Sequence, residues 1–297
     1  MQKMNKNTDI KVSVVCLVYN HEPYLRQCLD GFVSQKTKFR FEVFVHDDAS
    51  TDGSAKIILE YAEKYPSIIK PIIESENQYS KKDGSLGRII DENIKGKYVA
   101  YCEGDDYWTD PMKLQIQYDM MESNPQMTIC FHSNNELYPD KRMKVHKPQV
   151  VKSLYTLDEA VLGGGSFMAT NTMFCRYDLY REEGKPLFWT NCPVGDLPTM
   201  LFYASKGEIG YVDKVMSVYR VASEGSWTSR QNSYVIRRRH HQRILKMWDE
   251  FDEYTHFEHH KSIVKKKRIN KRIHYKDAIG TLIHIFCPWL FNKRRRR

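Results

Sequence analysis

The chain has 297 residues, 41% of them hydrophobic and 28% charged, with a net charge of +9. This composition excludes a disordered chain, and the length holds one large α/β domain with an appendage but not two domains of average size. The charge is uneven: residues 237–297 carry 18 Lys/Arg against 6 Asp/Glu, a net of +12, which leaves −3 for residues 1–236. The basic excess therefore belongs to a tail, where it calls for an anionic partner, and it says nothing of the body. Seven scattered cysteines include no CxxC pair and sit mostly in apolar runs, a pattern for reduced thiols and not for a disulfide framework. The start, MQKMNKNTDIK, has no apolar signal-peptide core, and no run of about 18 apolar residues predicts a membrane-spanning helix.

In chain order, Val12–Val18 is an apolar, β-branched run suited to a strand buried on both faces. After the turn Tyr19-Asn20-His21-Glu22-Pro23, the apolar residues Leu25, Cys28, Leu29, Phe32 and Val33 fall at helical spacing. Phe41–His46 predicts a second strand that ends at Asp47-Asp48, and Ser50–Ser54 marks the start of a helix. A short strand at Lys70–Glu74, a helix over Arg88–Ile94 and a strand at Tyr98–Cys102 follow, the last ending in Glu103-Gly104-Asp105-Asp106. A helix over Met112–Met121 and a strand over Met127–His132 complete the regular alternation. Strands alternating with helices imply βαβ units and a doubly wound, mainly parallel sheet with helices on both faces. Such sheets bind ligands beyond the carboxyl ends of their strands, where both acidic clusters lie. Residues 140–195 are less periodic and read as loops facing an acceptor. Leu197–Lys206 predicts a helix and Ile209–Arg220 a late strand, and residues 234–297 are mostly helical, aromatic and basic.

An acidic cluster at a strand end can hold a hard divalent cation, Mg2+ or Mn2+, that bridges the phosphates of a bound nucleotide. A lone EGDD could equally be a solvated turn. Three stretches taken together change that weighing: VSVVCLVYN (12–20), EVFVHDDASTDGS (42–54) and YVAYCEGDDYW (98–108) resemble, in order and spacing, the signature series of glycosyltransferase family 2, which has the GT-A fold. The resemblance covers roughly residues 10–228. It continues in NCPVGDLPTMLFYASKGEIG (191–210), similar to the family's acceptor-base region, and in VMSVYRVASEGSW (215–227), similar to its closing loop.

The resemblance implies an inverting transfer of sugar from a nucleotide-sugar, UDP-linked by default, to a hydroxyl of a glycan or lipid-linked acceptor. Asp47 or Asp48 would read the base, Asp47 being preferred, with Tyr19 and Asn20 lining the base and ribose pocket. Glu103-Gly104-Asp105 stands where the family has Asp-x-Asp; Asp105 would contact ribose or metal, and Asp106 would be the main metal ligand. Asp196 is the candidate base, a role compatible with capping a helix that starts at Leu197-Pro198. Ala222 stands where the family often has His. Arg220 is a candidate for the phosphates, and Trp227 stacks on an acceptor sugar or simply packs. Trp108 is read as packing.

His256, His259 and His260 have no evident carboxylate partner and read as an exposed helical face. In the tail, basic clusters at Lys265–Arg268, Lys271-Arg272 and Arg294–Arg297 bracket an apolar stretch, Ala278–Phe291, of about fourteen residues, too short to span a bilayer. A helix of this kind can lie on an anionic membrane surface, so the expected location is cytoplasmic and peripheral on the inner face of the plasma membrane. The expected division is a transferase domain over 1–233 and a helical basic tail over 234–297. A nucleotidyltransferase or a dehydrogenase would need a Gly-rich loop after the first strand, and Val18-Tyr19-Asn20-His21 has none. A nucleic-acid-binding protein using the tail and an inactive transferase homologue are the rival readings. Nucleic acid is not the expected partner, because no recognised binding module accompanies the basic residues.

Overall fold

The computed structural model describes residues 9–223 and 233–286. The predicted alternation is present, with boundaries moved by a few residues: β1 (Ile10–Val18), α1 (Glu22–Val33), β2 (Arg40–Asp47), α2 (Ser54–Lys64), β3 (Ile69–Ile73), α3 (Gln78–Lys81), α4 (Ser85–Asn93) and β4 (Tyr98–Tyr101). β5 (Tyr107–Trp108), α5 (Lys113–Ser123) and β6 (Met127–Leu137) follow. The aperiodic stretch is more ordered than its sequence suggests. It holds β7 (Met143–His146), β8 (Leu154–Tyr155), α6 (Leu157–Gly163), β9 (Phe174–Arg176), α7 (Tyr177–Glu183) and α8 (Leu187–Asn191). Strands of two to four residues and helices of five to seven are too short to display a period. α9 (Asp196–Ala204), β10 (Glu208–Arg220), α10 (Tyr234–Tyr254) and α11 (His260–Phe286) complete the described chain.

One sheet runs in the order β3-β2-β1-β4-β9-β6-β10-β5, with β7 on β6 and β8 on β10. Pairing is parallel through β3, β2, β1 and β4, and again between β6 and β10. β9 enters antiparallel between β4 and β6. β1 has β2 on one side and β4 on the other, so the strand order reverses at β1 and a crevice opens beyond the carboxyl ends of these three strands. Alternate residues of β1 feed two cores. Val12, Val14, Cys16 and Val18 pack with α1, α2 and α5, while Val15 joins the core under α6 and α9. The six described cysteines are buried free thiols.

The C-terminal helices pack onto the second of these cores. Ile244, Met247, Trp248 and Phe251 of α10 and Ile263 of α11 are buried in it. Phe251 meets Phe188 edge to face at 4.9 Å. The histidines of this segment depart from the sequence reading. His259 Nδ1 lies 3.0 Å from Asp158, and His260 Nδ1 lies 2.6 Å from Asp252, so both have carboxylate partners. Asp158 is about a hundred residues away in sequence, out of reach of any local pattern. Among the described residues, no helix is long and apolar enough to cross a membrane.

Lys113 is fully buried at the start of α5. Its Nζ donates to Gln117 Oε1 at 2.7 Å and lies 4.1 Å from the centroid of the Trp108 ring. Burial pulls its pKa down to about 7. The unfolded chain, with Lys near its ordinary 10.5, therefore holds more protons than the folded one between the two values. Stability should rise as pH increases from about 7 toward 10.5, and a Lys113→Met variant should lack that component. Urea unfolding of both proteins at matched pH values measures the difference. Phe251→Ala should lower unfolding free energy by about 3–5 kcal/mol in the same assay; a loss below about 1 kcal/mol would mean that α10 is not integral to the core.

Candidate active site

The crevice is built by two loops stitched together at the ends of β1 and β2. Asn20 adopts the left-handed conformation (φ 58°), and its backbone N–H donates to Ser50 Oγ at 2.9 Å while its side-chain Oδ1 accepts the Thr51 N–H at 2.7 Å. Glu22 and Asp52 bind across the same gap: the Glu22 N–H reaches Asp52 Oδ2 at 3.0 Å, and the Gly53 N–H reaches Glu22 Oε2 at 2.8 Å. Tyr19 and Asn20 therefore sit at the junction of the two loops.

The adjacent aspartates at the end of β2 have different surroundings. Both oxygens of Asp48 are engaged, accepting the N–H of Gln78 at 2.6 Å and of Tyr79 at 3.1 Å at the start of α3. Asp47 is 1% exposed; its Oδ2 accepts the Ser50 N–H at 3.1 Å, and its Oδ1 has no hydrogen-bond partner. A buried carboxylate oxygen without a donor is costly, and a ligand N–H placed there removes the cost.

Beyond β4 the chain turns into the crevice, where Glu103, Asp105 and Asp106 bring carboxylate oxygens within 4.8 Å of one another. Gly104 makes the turn possible. A Cβ at this position would come within 2.8 Å of His21 Nδ1 and 2.9 Å of Val18, so any side chain would push the acidic turn away from β1. Asp106 is 1% exposed and held at both oxygens: Oδ1 accepts the Arg220 backbone N–H at 2.8 Å, and Oδ2 accepts Asn171 Nδ2 at 3.0 Å. Asn171 is itself fixed, with Oδ1 accepting from Ser217 Oγ at 3.0 Å and Nδ2 donating also to the Val218 carbonyl. Asp105 Oδ2 accepts from Ser223 Oγ at 2.5 Å. Arg220 donates from its guanidinium to the Asp105 carbonyl and to Gln27 Oε1, and lies between the Tyr24 and Tyr107 rings at 4.9 and 4.6 Å.

Crowded carboxyl groups resist ionisation. Burial, then the Asp105 and Asp196 charges, push Glu103 up to about 8. Burial, with Asp105 and Glu103 beside it, also raises Asp106 well above the usual carboxylate range, against the opposing pull of Arg220. Three hard oxygen donors with excess negative charge fit a small divalent cation, and a cation would restore their ionised forms. Among the described residues this is the one cluster of three or more potential ligands whose atoms converge.

Asp196 is the first residue of α9, and Gly195 takes the cap position, so the expected capping role is not the one seen. Asp196 Oδ1 accepts the Leu197 N–H at 2.7 Å. Burial raises its carboxyl pKa. Its charge is felt at Glu103, so it lies within Coulombic reach of the acidic turn. The structure thus brings Asp196, Arg220 and the three acidic residues to one rim. Ala222, where a His was noted as missing, lies in a left-handed turn (φ 55°). Trp108 is 3% exposed, and its Nε1 donates to the Asn171 carbonyl at 3.1 Å, which agrees with packing. Trp227 lies outside the described residues. Sequence reasoning missed Asn171, Ser223 and Gln27. Asn171 lies in Thr170-Asn171-Thr172, a segment with no motif or period to draw attention to it.

Comparison with known proteins agrees with this architecture. An uncharacterized protein of Mycobacterium tuberculosis is 34% identical over 235 residues, which are 77% of this chain and 63% of that protein; the chain thus spans less than two thirds of this curated relative. The structure of Staphylococcus aureus TarS residues 1-349 in complex with UDP-GlcNAc superposes with a TM-score of 0.58 at 18% identity, covering 84% of this chain and 73% of that one. The mannosyltransferase PcManGT from Pyrobaculum calidifontis, in complex with GDP-Man and Mn2+, superposes with a TM-score of 0.54 at 15% identity, covering 96% and 83%. At those identities the structures attest a common fold. The profile of "Glycosyl transferase family 2" matches residues 13–182, more than half of the sequence. With its GT-A architecture, the chain belongs to glycosyl transferase family 2.

Proposed function

We propose that the protein transfers a sugar from a nucleotide-sugar, most simply a UDP-sugar, to a hydroxyl of a glycan or lipid-linked acceptor, with inversion at the anomeric carbon. The observation that carries this reading is the convergence of Glu103, Asp105 and Asp106 on the same rim as Asp196. TarS with UDP-GlcNAc and PcManGT with GDP-Man and Mn2+ supply the precedent for such a ligand on this fold.

In this reading Asp47 accepts an N–H of the base through its unpartnered Oδ1, while Tyr19 and Asn20 line the base and ribose. Asp48 supports that pocket by holding α3. A divalent cation, Mn2+ or Mg2+, held by Asp105 and Asp106 would neutralise charge developing on the departing diphosphate. Glu103 completes the acidic wall, and Arg220 stands by the phosphates. Asp196 takes the proton of the acceptor hydroxyl as that oxygen bonds to the anomeric carbon. The bond from that carbon to the diphosphate breaks on the opposite face, which is the origin of inversion. Trp227 is assigned to the acceptor side. Residues 1–233 form the transferase unit, and 234–297 the helical basic segment. We assign to that segment a second role on an anionic membrane surface, and hence a peripheral position on the cytoplasmic face.

Calorimetry with UDP- and GDP-sugars, with Mn2+ and then with EDTA, tests the donor site. Binding of one nucleotide-sugar should require metal, fall below detection in Asp105→Asn, and weaken roughly tenfold to a hundredfold in Asp47→Ala. Tight binding that survives EDTA and Asp105→Asn would overturn the metal assignment.

Asp196→Asn should lower kcat by roughly a hundredfold to ten-thousandfold while leaving donor binding intact. The carboxyl pKa is raised in the folded protein, so ionising Asp196 costs stability above that pKa, and the cost disappears as pH falls through it. The Asn variant should therefore melt at a higher temperature than the wild type at neutral pH, and the two should converge in acid. Activity should show the opposite trend, lost as pH falls through the same pKa. A variant with unchanged kcat would remove Asp196 from the reaction.

A further inference from the structure

Behind the acidic turn lies a buried polar layer that no step of the reaction touches. It is built from Trp108 of β5, Lys113 and Gln117 of α5, Ser217 of β10 and the single 3-10 turn Thr170–Thr172 that carries Asn171. Lys113 anchors it. An ammonium can only donate, so the Gln117 oxygen must face it, and this turns Gln117 Nε2 onto the Thr172 carbonyl at 2.9 Å. The Trp108 ring, 4.1 Å from the same ammonium, gives its Nε1–H to the Asn171 carbonyl at 3.1 Å. Two successive carbonyls of the turn are therefore held by side chains that share one buried cation.

The side chain of Asn171 has its direction dictated as well. Its Nδ2 donates to Asp106 Oδ2 and to the Val218 carbonyl, each at 3.0 Å, and its Oδ1 accepts from the Ser217 hydroxyl at 3.0 Å. Reversing the amide would set its oxygen against a carboxylate and a carbonyl, three acceptors with no proton among them. The donor end of Asn171 can therefore face only Asp106. The Arg220 N–H on Asp106 Oδ1 completes the grip, so β10 supplies the reference for both residues. A carboxylate offers roughly four lone-pair positions. Fixed N–H donors occupy one on each oxygen of Asp106, and the others remain for a cation. Well-packed apolar side chains of similar volume commonly fill such a space with no loss of stability. The polar layer is accounted for by what it holds.

We propose that Asn171 is a positioning residue for the metal ligand Asp106, and that Ser217 and the Lys113–Gln117 pair lock it in that role. The proposal rests on the reading of the acidic turn as a cation site. Outer partners of this kind orient a ligand before the ion arrives, and removing one typically costs about tenfold to a hundredfold in metal affinity. Gln117 and Lys113 act at one remove, through the Thr172 carbonyl and the Trp108 ring, without touching Asp106.

Titration of the full chain with Mn2+, followed by electron paramagnetic resonance of the free ion, tests this without any turnover. Asn171→Leu, which keeps the side chain's size and removes its donors, should weaken Mn2+ binding about tenfold to a hundredfold. Ser217→Ala and Gln117→Met leave Asn171 in place and remove one lock each. They should weaken binding in the same direction by a smaller factor, and they decide the matter if Asn171→Leu does not fold. Calorimetry separates positioning from general damage. Nucleotide-sugar binding by the variants should lag behind the wild type at limiting Mn2+ and return to its value at saturating Mn2+. Wild-type Mn2+ affinity in Asn171→Leu, or in both milder variants, would mean that Asn171 only packs. A loss of nucleotide-sugar binding that excess Mn2+ does not restore would equally overturn the positioning role. A wild-type chain that binds no Mn2+ would instead overturn the cation site on which the proposal rests.

Discussion

The crowding of Glu103, Asp105 and Asp106 into one turn is the constraint around which the rest of the molecule is arranged. Three carboxyl groups within 4.8 Å do not stay together by their own interactions. They are kept there by backbone and neutral donors. Gly104 lets the turn press against β1, Asn171 and the Arg220 N–H fix Asp106, and Ser223 holds Asp105. Burial first and neighbouring charge second hold Glu103 and Asp106 toward their neutral forms, a cost that a bound cation would relieve. The same logic extends to Asp196, whose carboxyl pKa burial raises, and to the lone oxygen of Asp47, which has no donor.

Topology explains why these groups meet. β1 is flanked by β2 and β4, and each of these strands delivers an acidic or amide-bearing turn at its carboxyl end. The antiparallel β9 then brings Thr170–Thr172 under the acidic turn, so a residue about 65 positions from Asp106 can hold it. α10 and α11 close the far side through apolar packing on the second core, and this places their basic faces opposite Asp196.

Much of this was legible in the sequence because it depends on local pattern. A β-branched run gives β1 and shorter apolar runs give β2 and β4, and the acidic turns that follow β2 and β4 lie where a parallel sheet puts its ligands. The rest depended on contacts between distant positions. Asp47 and Asp48 are the same residue type side by side, and they differ only in what the fold brings to each: α3 to Asp48, and nothing to one oxygen of Asp47. His259 looks isolated until α6 supplies Asp158. Asn171 carries no signal at all, since its role comes from Ser217 on β10 and Asp106 in the acidic turn. The short elements between residues 140 and 195 failed to register because a three-residue strand has no period to read.

Arg220 and Ser223 have a further consequence. They grip the acidic turn, yet they are also the last described residues before the segment that leads into α10. A cation drawn to Asp105 Oδ2 competes with the Ser223 hydroxyl for the same oxygen. Occupancy of the acidic turn and the grip of Ser223 on it are thereby set against each other, and linkage makes the antagonism equal in both directions.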